Sequence, residues 1–142
     1  VLQLVGDLLD QMQRSQTDYT RLFRSLGDIQ ANSKDTRPEI RQMFLQRERF
    51  DRWLTEYREL LRTTAKPDAE RRELMMAVNP KYVLRNYLAQ VAIESAEQNQ
   101  DYSEIDRLMQ ILQSPYDEHP EMARYAEPPP DWAGNIQVSC SS

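Results

Sequence analysis

The clearest indication of the fold is the stretch 79-NPKYVLRNYLAQVAIESAEQ-98. Its apolar residues recur every three or four positions, which is the period of an α-helix with a wide buried face. Asn79 suits the N-cap position and Pro80 the first turn, where a missing N–H is tolerated. We predict a core helix over residues 80–98. Its predicted buried residues are Tyr82, Val83, Tyr87, Leu88, Val91, Ala92 and Ala96.

The longest helical pattern precedes this stretch and spans residues 36–64. Asp35 or Thr36 is its predicted cap, and Pro38 falls in its first turn. Its other face is Arg and Glu, which we interpret as a solvated face, with a binding patch as the alternative. Its apolar stripe comprises Ile40, Met43, Phe44, Phe50, Trp53, Leu54, Tyr57, Leu60 and Leu61.

Shorter helices complete the pattern. Residues 103–113 predict a third core helix with Ser103 as its N-cap. Pro67 opens a short helix, and one helical turn is expected after Pro120. Two helices are predicted before residue 27, with Thr17 capping the second. The apolar residues at helical spacing before residue 27 are Leu2, Val5, Leu9, Met12, Tyr19, Phe23 and Leu26. In the helix over residues 103–113, the residues predicted to face inward are Ile105, Leu108, Met109 and Leu112.

The predicted fold class is therefore all-α, with about five to seven helices. Residues 1–127 are expected to form one helical domain, and residues 128–142 an extended Pro-rich tail ending in Cys-Ser-Ser. The length of 142 residues suits a single domain. No apolar run reaches the roughly 18 residues that span a bilayer. The first residue is Val, and we interpret the chain as a fragment of a longer protein.

Composition narrows the possible chemistry. The chain has one His and one Cys, 21 positions apart, so no metal site is predicted. The three glycines stand alone, so no phosphate-binding loop is predicted either. His119 lies among carboxylates in a turn, and an exposed histidine without a role is favoured over a catalytic base. We predict no catalytic, cofactor-binding or metal-binding residue in this chain.

Partners are constrained by charge and aromatic residues. The net charge is −5, and residues 78–142 hold 10 acidic against 4 basic residues, which argues against nucleic-acid binding. Lys81 and Arg85 are predicted to be solvated, although an acidic partner is an alternative. Core packing is favoured over a role as stacking platforms for four aromatic residues, Trp53, Tyr57, Tyr82 and Tyr87.

Three segments carry a family resemblance: "NPKYVLRNYLAQVAIESAE", "SPYDEHPEMARYAEPPPDW" and the closing "VSCSS". In this order they resemble the C-terminal end of the selenoprotein O family, also called the YdiU family. The resemblance is close over residues 79–142. Two further segments, "DYTRLFRSL" and "FDRWLTEYRELL", extend it more loosely over most of the first half.

The resemblance implies a kinase-like parent enzyme that transfers AMP from ATP to Ser, Thr or Tyr hydroxyls of proteins. ATP and magnesium would be held upstream of this chain. Cys140 occupies the position where family members carry selenocysteine or cysteine, which implies a redox role such as a bridge to an upstream cysteine. Composition alone makes Cys140 a spare thiol with an ordinary pKa.

The leading hypothesis is that the chain packs against the upstream kinase-like domain and is inactive by itself. The alternative is a stand-alone helical module that binds another protein without catalysis. Excision of the chain from its neighbour is expected to expose an apolar face, which would favour dimers. The expected location is the bacterial cytoplasm, with mitochondria as the alternative.

Overall fold

The computed structural model describes residues 1–135 of the chain, and the only regular secondary structure in these residues is helical. They form seven α-helices and two 3₁₀ helices, without a strand in the described part. The α-helices are α1 (Leu2–Ser15), α2 (Tyr19–Leu26), α3 (Pro38–Arg41), α4 (Arg47–Thr63), α5 (Asp68–Val78), α6 (Asn86–Asn99) and α7 (Ser103–Gln113). The 3₁₀ helices are Pro120–Ala126 and Asp131–Asn135. The predicted fold class is confirmed.

The chain divides into two compact units, unit 1 (Val1–Asn79) and unit 2 (Pro80–Ser142). Each unit has its own hydrophobic core. The single helical domain over residues 1–127 stays a prediction. In the described residues, no helix combines the length and the apolar composition that crossing a bilayer requires.

Unit 1 is built around an aromatic row on α4 and the segment before it. The rings of Phe44 and Phe50 stack at 4.7 Å, those of Phe50 and Trp53 at 5.9 Å, and those of Trp53 and Tyr57 at 4.9 Å. Helix α1 packs on α4, where the Trp53 indole N–H donates to the Leu4 carbonyl at 2.9 Å. The predicted core role of Trp53 is thus confirmed, and its one polar atom is satisfied.

The predicted helix over residues 36–64 is interrupted in the structure. Helix α3 ends at Arg41 and α4 begins only at Arg47. The Leu45 amide donates to the Ser15 hydroxyl at 2.9 Å, and the Met43 carbonyl accepts from the Thr17 hydroxyl at 2.9 Å. These side chains take the backbone groups that a continuous helix would pair internally, so the helix breaks there.

Two predicted helix caps are wrong because other residues occupy those positions. The Thr17 hydroxyl donates to the Met43 carbonyl instead of capping α2. Asp18 caps α2, because its carboxylate accepts from the Arg21 amide at 3.1 Å. Arg37 is the N-cap residue of α3, and neither Asp35 nor Thr36 makes a cap hydrogen bond there. Pro38 does fall in the first turn of α3, as predicted.

The core helix predicted over residues 80–98 begins later, at Asn86. The amides of Lys81 and Tyr82 both donate to the Pro115 carbonyl, at 2.9 and 3.3 Å. These bonds hold residues 81 and 82 outside any helix and bury the Tyr82 ring, which is 1% exposed. Asn79 and Pro80 therefore do not start α6, because the segment after them binds the turn that follows α7.

Helix α7 matches the predicted span of residues 103–113. Its N-cap residue is Tyr102, not Ser103, whose amide donates to the Asp101 carboxylate at 3.0 Å. Leu108 is buried as predicted, whereas Met109 is exposed and Ile111 is buried in its place. The helix is rotated by a fraction of a turn relative to the predicted inward face.

The Pro-rich tail predicted to be extended over residues 128–142 contains a short helix. Residues Asp131–Asn135 form a 3₁₀ helix. At its start, the Ala133 amide donates to the Pro130 carbonyl at 2.9 Å. Trp132 contacts Tyr87 edge to face, with ring centroids 5.9 Å apart. The 3₁₀ helix at Pro120–Ala126 confirms the turn predicted after Pro120.

Candidate functional site

The arginine side chains of unit 1 are the most distinctive polar feature of the described residues. Arg58 of α4 is buried, and its guanidinium donates to the Gln30 carbonyl at 3.1 Å and to the Asp35 carbonyl at 2.6 Å. Burial lowers the pKa of Arg58, which the charge of Asp35 partly offsets. The side chain thus ties α4 to the segment between α2 and α3.

Two more arginines hold the same segment. Arg62 donates to the Ala31 carbonyl at 2.8 Å, and Arg71 of α5 donates to the Ile29 carbonyl at 2.5 Å and to Asp68 at 2.7 Å. Sequence reasoning missed these contacts because Arg58 and Arg62 belong to the face interpreted as solvated. The missed signal is their four-residue spacing, which places both on one side of α4.

An open groove of about 650 Å³ lies where α4 begins. Four arginines line it, together with a glutamate, a leucine and a glutamine: Arg41, Arg47, Arg49, Arg52, Glu48, Leu45 and Gln46. A cationic groove of this size has room for a phosphate or a carboxylate. Its capacity to bind an anion depends on how many of these charges are already neutralised.

Two of the four groove arginines are neutralised by carboxylates. Arg41 forms a bidentate pair with Asp51 at 2.8 and 3.1 Å, which raises the pKa of Arg41. Arg49 pairs with Asp7 and, at 2.9 Å, with Asp10. Hydrogen bonds from Arg14 and Arg49 hold the pKa of Asp10 below its usual value. These pairs fix α4 to α3 and α1.

The remaining groove charges are Arg47 and Arg52, which are exposed and form no ion pair within residues 1–135. Glu48 lies between them in sequence and lines the same groove. The local charge is therefore close to balanced, and the interpretation as a solvated face holds for these two residues. No Ser, Thr, Cys, His or Lys side chain lines the groove, so the lining offers no nucleophile.

Unit 2 contains a carboxylate network around Glu104 of α7. Tyr125 donates to Glu104 at 2.7 Å, and the guanidinium groups of Arg107 and Arg124 donate to it at 2.6 and 2.9 Å. Burial raises the pKa of Glu104, but these donors and charges outweigh it and the net shift is downward. Burial and the bond to Glu104 raise the pKa of Tyr125. The network joins α7 to the 3₁₀ helix Pro120–Ala126.

The candidate residues predicted in unit 2 serve its packing. The His119 ring contacts Tyr82 edge to face at 5.3 Å, and its Nε2 lies 3.0 Å from the Ser114 carbonyl. Lys81 forms an ion pair with Glu118, so it is not merely solvated as predicted. Cys140, the predicted redox residue, lies outside the described residues.

No group of three or more His, Cys, Asp or Glu side chains in residues 1–135 could hold a metal ion. The geometry defines a helical region in which arginine and carboxylate side chains bind groups of the same chain, as Arg58 and Glu104 do. The family model described as "Protein adenylyltransferase SelO" matches residues 2–113. The chain belongs to this family and corresponds to its C-terminal region.

Individual relatives give the same assignment. The chain is 52% identical over 141 residues to the protein nucleotidyltransferase YdiU of Thioalkalivibrio sulfidiphilus, covering 99% of the chain and 28% of that protein. It is 49% identical over 131 residues to YdiU of Herminiimonas arsenicoxydans, covering 92% and 26%. For YdiU of Burkholderia ambifaria the identity is 46% over 140 residues, covering 99% and 27%. The chain thus spans just over a quarter of the length of these relatives, and the similarity includes its first half.

Proposed function

We propose that the chain is the C-terminal part of an enzyme that transfers AMP from ATP to Ser, Thr or Tyr hydroxyls of proteins. The match to the adenylyltransferase family over residues 2–113 carries this proposal. In the reaction, the hydroxyl oxygen attacks the α-phosphorus of ATP and the bond from that phosphorus to the bridging oxygen breaks. Pyrophosphate leaves, and the hydroxyl proton passes to a base.

The part described by the structure has a structural or regulatory role in this proposal. We assign ATP, magnesium and the catalytic residues to the kinase-like remainder of the protein, as the resemblance to the family implies. That remainder and the modified proteins are the proposed partners, and the proposed location is the bacterial cytoplasm.

Transfer assays test the proposal. The longer protein, incubated with labelled ATP, magnesium and a protein acceptor, is expected to label the acceptor with AMP. Residues 1–142 alone are expected to transfer none. Labelling by the 142-residue chain would place the active site within it and contradict the proposal. Failure of the longer protein to label any acceptor would remove the enzymatic function.

We assign Cys140 a redox role that regulates the enzyme. Its thiol would join a second cysteine of the longer protein, with two electrons and two protons passing to an oxidant such as another disulfide. Mass spectrometry of the longer protein without reductant is expected to find a peptide containing Cys140 linked to a second cysteine peptide. A free Cys140 thiol under oxidising conditions would contradict this role.

A further inference from the structure

Helix α1 uses one face to build the core of unit 1. Leu8, Gln11 and Met12 are buried on this face, and Leu4 packs partly against the same core. On another side of the helix, Asp7 and Asp10 pair with Arg49 of α4. These two sides of α1 therefore make its apolar contacts with the core and its ion pairs with α4.

A second apolar stripe on α1 is exposed in the described chain, fully at one end and by about half elsewhere. Leu2 is 87% exposed, Val5 48% and Leu9 47%. Their spacing of three and four residues places them on one side of the helix. A surface helix of a globular protein normally carries a single apolar stripe, whereas a helix with apolar residues around most of its circumference is buried.

Gly6 lies within this stripe, four residues after Leu2 and three before Leu9. A Cβ atom added to Gly6 would meet nothing within 4 Å, and its φ angle is not positive. Neither space nor backbone conformation within this chain therefore requires glycine there. A glycine in a helix interior lowers helix stability, and a common reason to tolerate it is the close approach of another backbone.

We propose that the outer face of α1, formed by Leu2, Val5, Gly6 and Leu9, is the docking surface for an apolar helix in the remainder of the family protein. This inference rests on one part of the proposed function, namely that the chain is part of a longer protein. It does not depend on the AMP-transfer activity. The relatives are about three and a half times as long as the chain, so most of the polypeptide is available to cover this face. The stripe carries no charge, which selects an apolar occupant over an acidic or basic one.

The test compares a stripe variant with a matched control in the longer protein. The stripe variant carries Leu2→Gln, Val5→Gln and Leu9→Gln. The control carries the same change at three exposed residues that share no helix face, Leu45, Leu84 and Met109. We expect the stripe variant to lower Tm by about 5 °C or more and the control to leave it unchanged. In the 142-residue chain, the two variants should change Tm by similar, small amounts.

Gly6→Leu provides a second variant whose effect should change sign. In the 142-residue chain it is expected to raise Tm, because leucine favours the helix and has open space. In the longer protein it is expected to lower Tm, because the side chain would collide with the docked helix. A rise in both proteins would overturn the proposal.

Two further outcomes would also overturn the proposal. The first is an equal Tm for the stripe variant and the control in the longer protein. The second is a dimer of the longer protein, seen by light scattering, that the stripe variant dissolves, because a second copy would then be the occupant. The AMP-transfer assay separates the two proposals: a stripe-specific Tm loss without any AMP transfer supports docking and removes only the enzymatic function.

Discussion

The two units are both helical, but their cores contain different side chains. In the described residues, the buried core of unit 1 has twelve hydrophobic residues, mostly aliphatic or stacked aromatic. That of unit 2 has six, and its two largest members are Tyr82 and Tyr125. Each tyrosine hydroxyl is bonded: Tyr82 donates to the His119 carbonyl at 3.3 Å and Tyr125 to Glu104 at 2.7 Å.

Similar helical patterns in sequence can therefore produce cores whose stability depends on different interactions. Unit 1 relies on apolar burial and on arginines that satisfy backbone carbonyls. Unit 2 has fewer apolar residues and gains part of its stability from tyrosine hydroxyls and a carboxylate. Apolar substitutions should therefore affect unit 1 most, whereas hydroxyl deletion and pH should affect unit 2.

The largest expected effect is that of Phe50→Ala in unit 1. Phe50 is fully buried and stacks on Phe44 and Trp53, so truncation leaves a cavity in the aromatic row. We expect a loss of about 3–5 kcal/mol in the free energy of unfolding, measured by urea titration with Trp53 fluorescence. Leu45→Ala, at an exposed position, should change it by less than about 0.5 kcal/mol. A similarly small effect of Phe50→Ala would refute the apolar account of unit 1.

Arg58→Met comes next, because it removes the donor to two carbonyls while keeping an unbranched apolar stem. The Gln30 and Asp35 carbonyls lose their bonds from Arg58, and we expect a cost of about 2–4 kcal/mol. Arg52→Met is the matched control on the exposed side of the same helix. Equal urea midpoints for the two variants would show that the arginine contacts contribute nothing to unit 1.

Tyr125→Phe tests the polar contribution to unit 2. It removes only the hydroxyl that donates to Glu104, and Arg107 and Arg124 remain as partners of that carboxylate. We expect a loss of about 1–2 kcal/mol, measured by thermal unfolding followed by circular dichroism. A variant as stable as the parent chain would mean that unit 2 depends on apolar burial in the same way as unit 1.

The same network predicts a pH dependence of unit 2. The pKa of Glu104 is lowered in the fold, so its contribution is complete above the ordinary value of about 4.3 and is lost as pH falls through the folded pKa. The pKa of Tyr125 is raised, so its contribution is lost as pH rises through the folded value. Glu104→Gln should therefore be destabilising at pH 7 and less destabilising at pH 2.

Glu97→Gln is the control for this pH series, because Glu97 is exposed on α6. Its urea midpoint should match that of the parent chain at both pH values. If Glu104→Gln shows the same difference from the parent at pH 7 and pH 2, the carboxylate does not stabilise unit 2 through its charge.

The smallest expected effect is a gain. Gly6→Ala places a methyl group in open space on a regular helix, so the 142-residue chain should become more stable by about 0.5–1 kcal/mol. Thermal unfolding by circular dichroism measures this change. A loss of stability would show that Gly6 is required within unit 1 itself.

Sequence periodicity predicted the fold class and most of the buried positions, because apolar spacing determines which face of a helix is inward. It did not predict where a helix breaks when distant side chains compete for backbone groups, as Ser15 and Thr17 do at residues 43–45. Nor did it predict that Tyr82 would be buried outside a helix, since the Pro115 carbonyl that holds it is 33 residues away.

The candidate functional features were predicted less completely, for a physical reason. An exposed arginine and an arginine bonded to distant carbonyls look alike in sequence, so Arg58 was assigned to the solvated face. The outer stripe of α1 was visible as apolar spacing, but spacing alone does not say whether a face is covered by the same chain or by another part of the protein. The exposure of Leu2, 87%, shows that the described chain leaves this end of the stripe uncovered.

Amide hydrogen exchange of α1 is the sharpest test of the proposal that this chain docks through its first helix onto the remainder of the longer protein. Exchange is followed by mass spectrometry for residues 2–15 in the longer protein and in the 142-residue chain. We expect exchange slower by about tenfold or more in the longer protein. Equal exchange rates in the two proteins would contradict it.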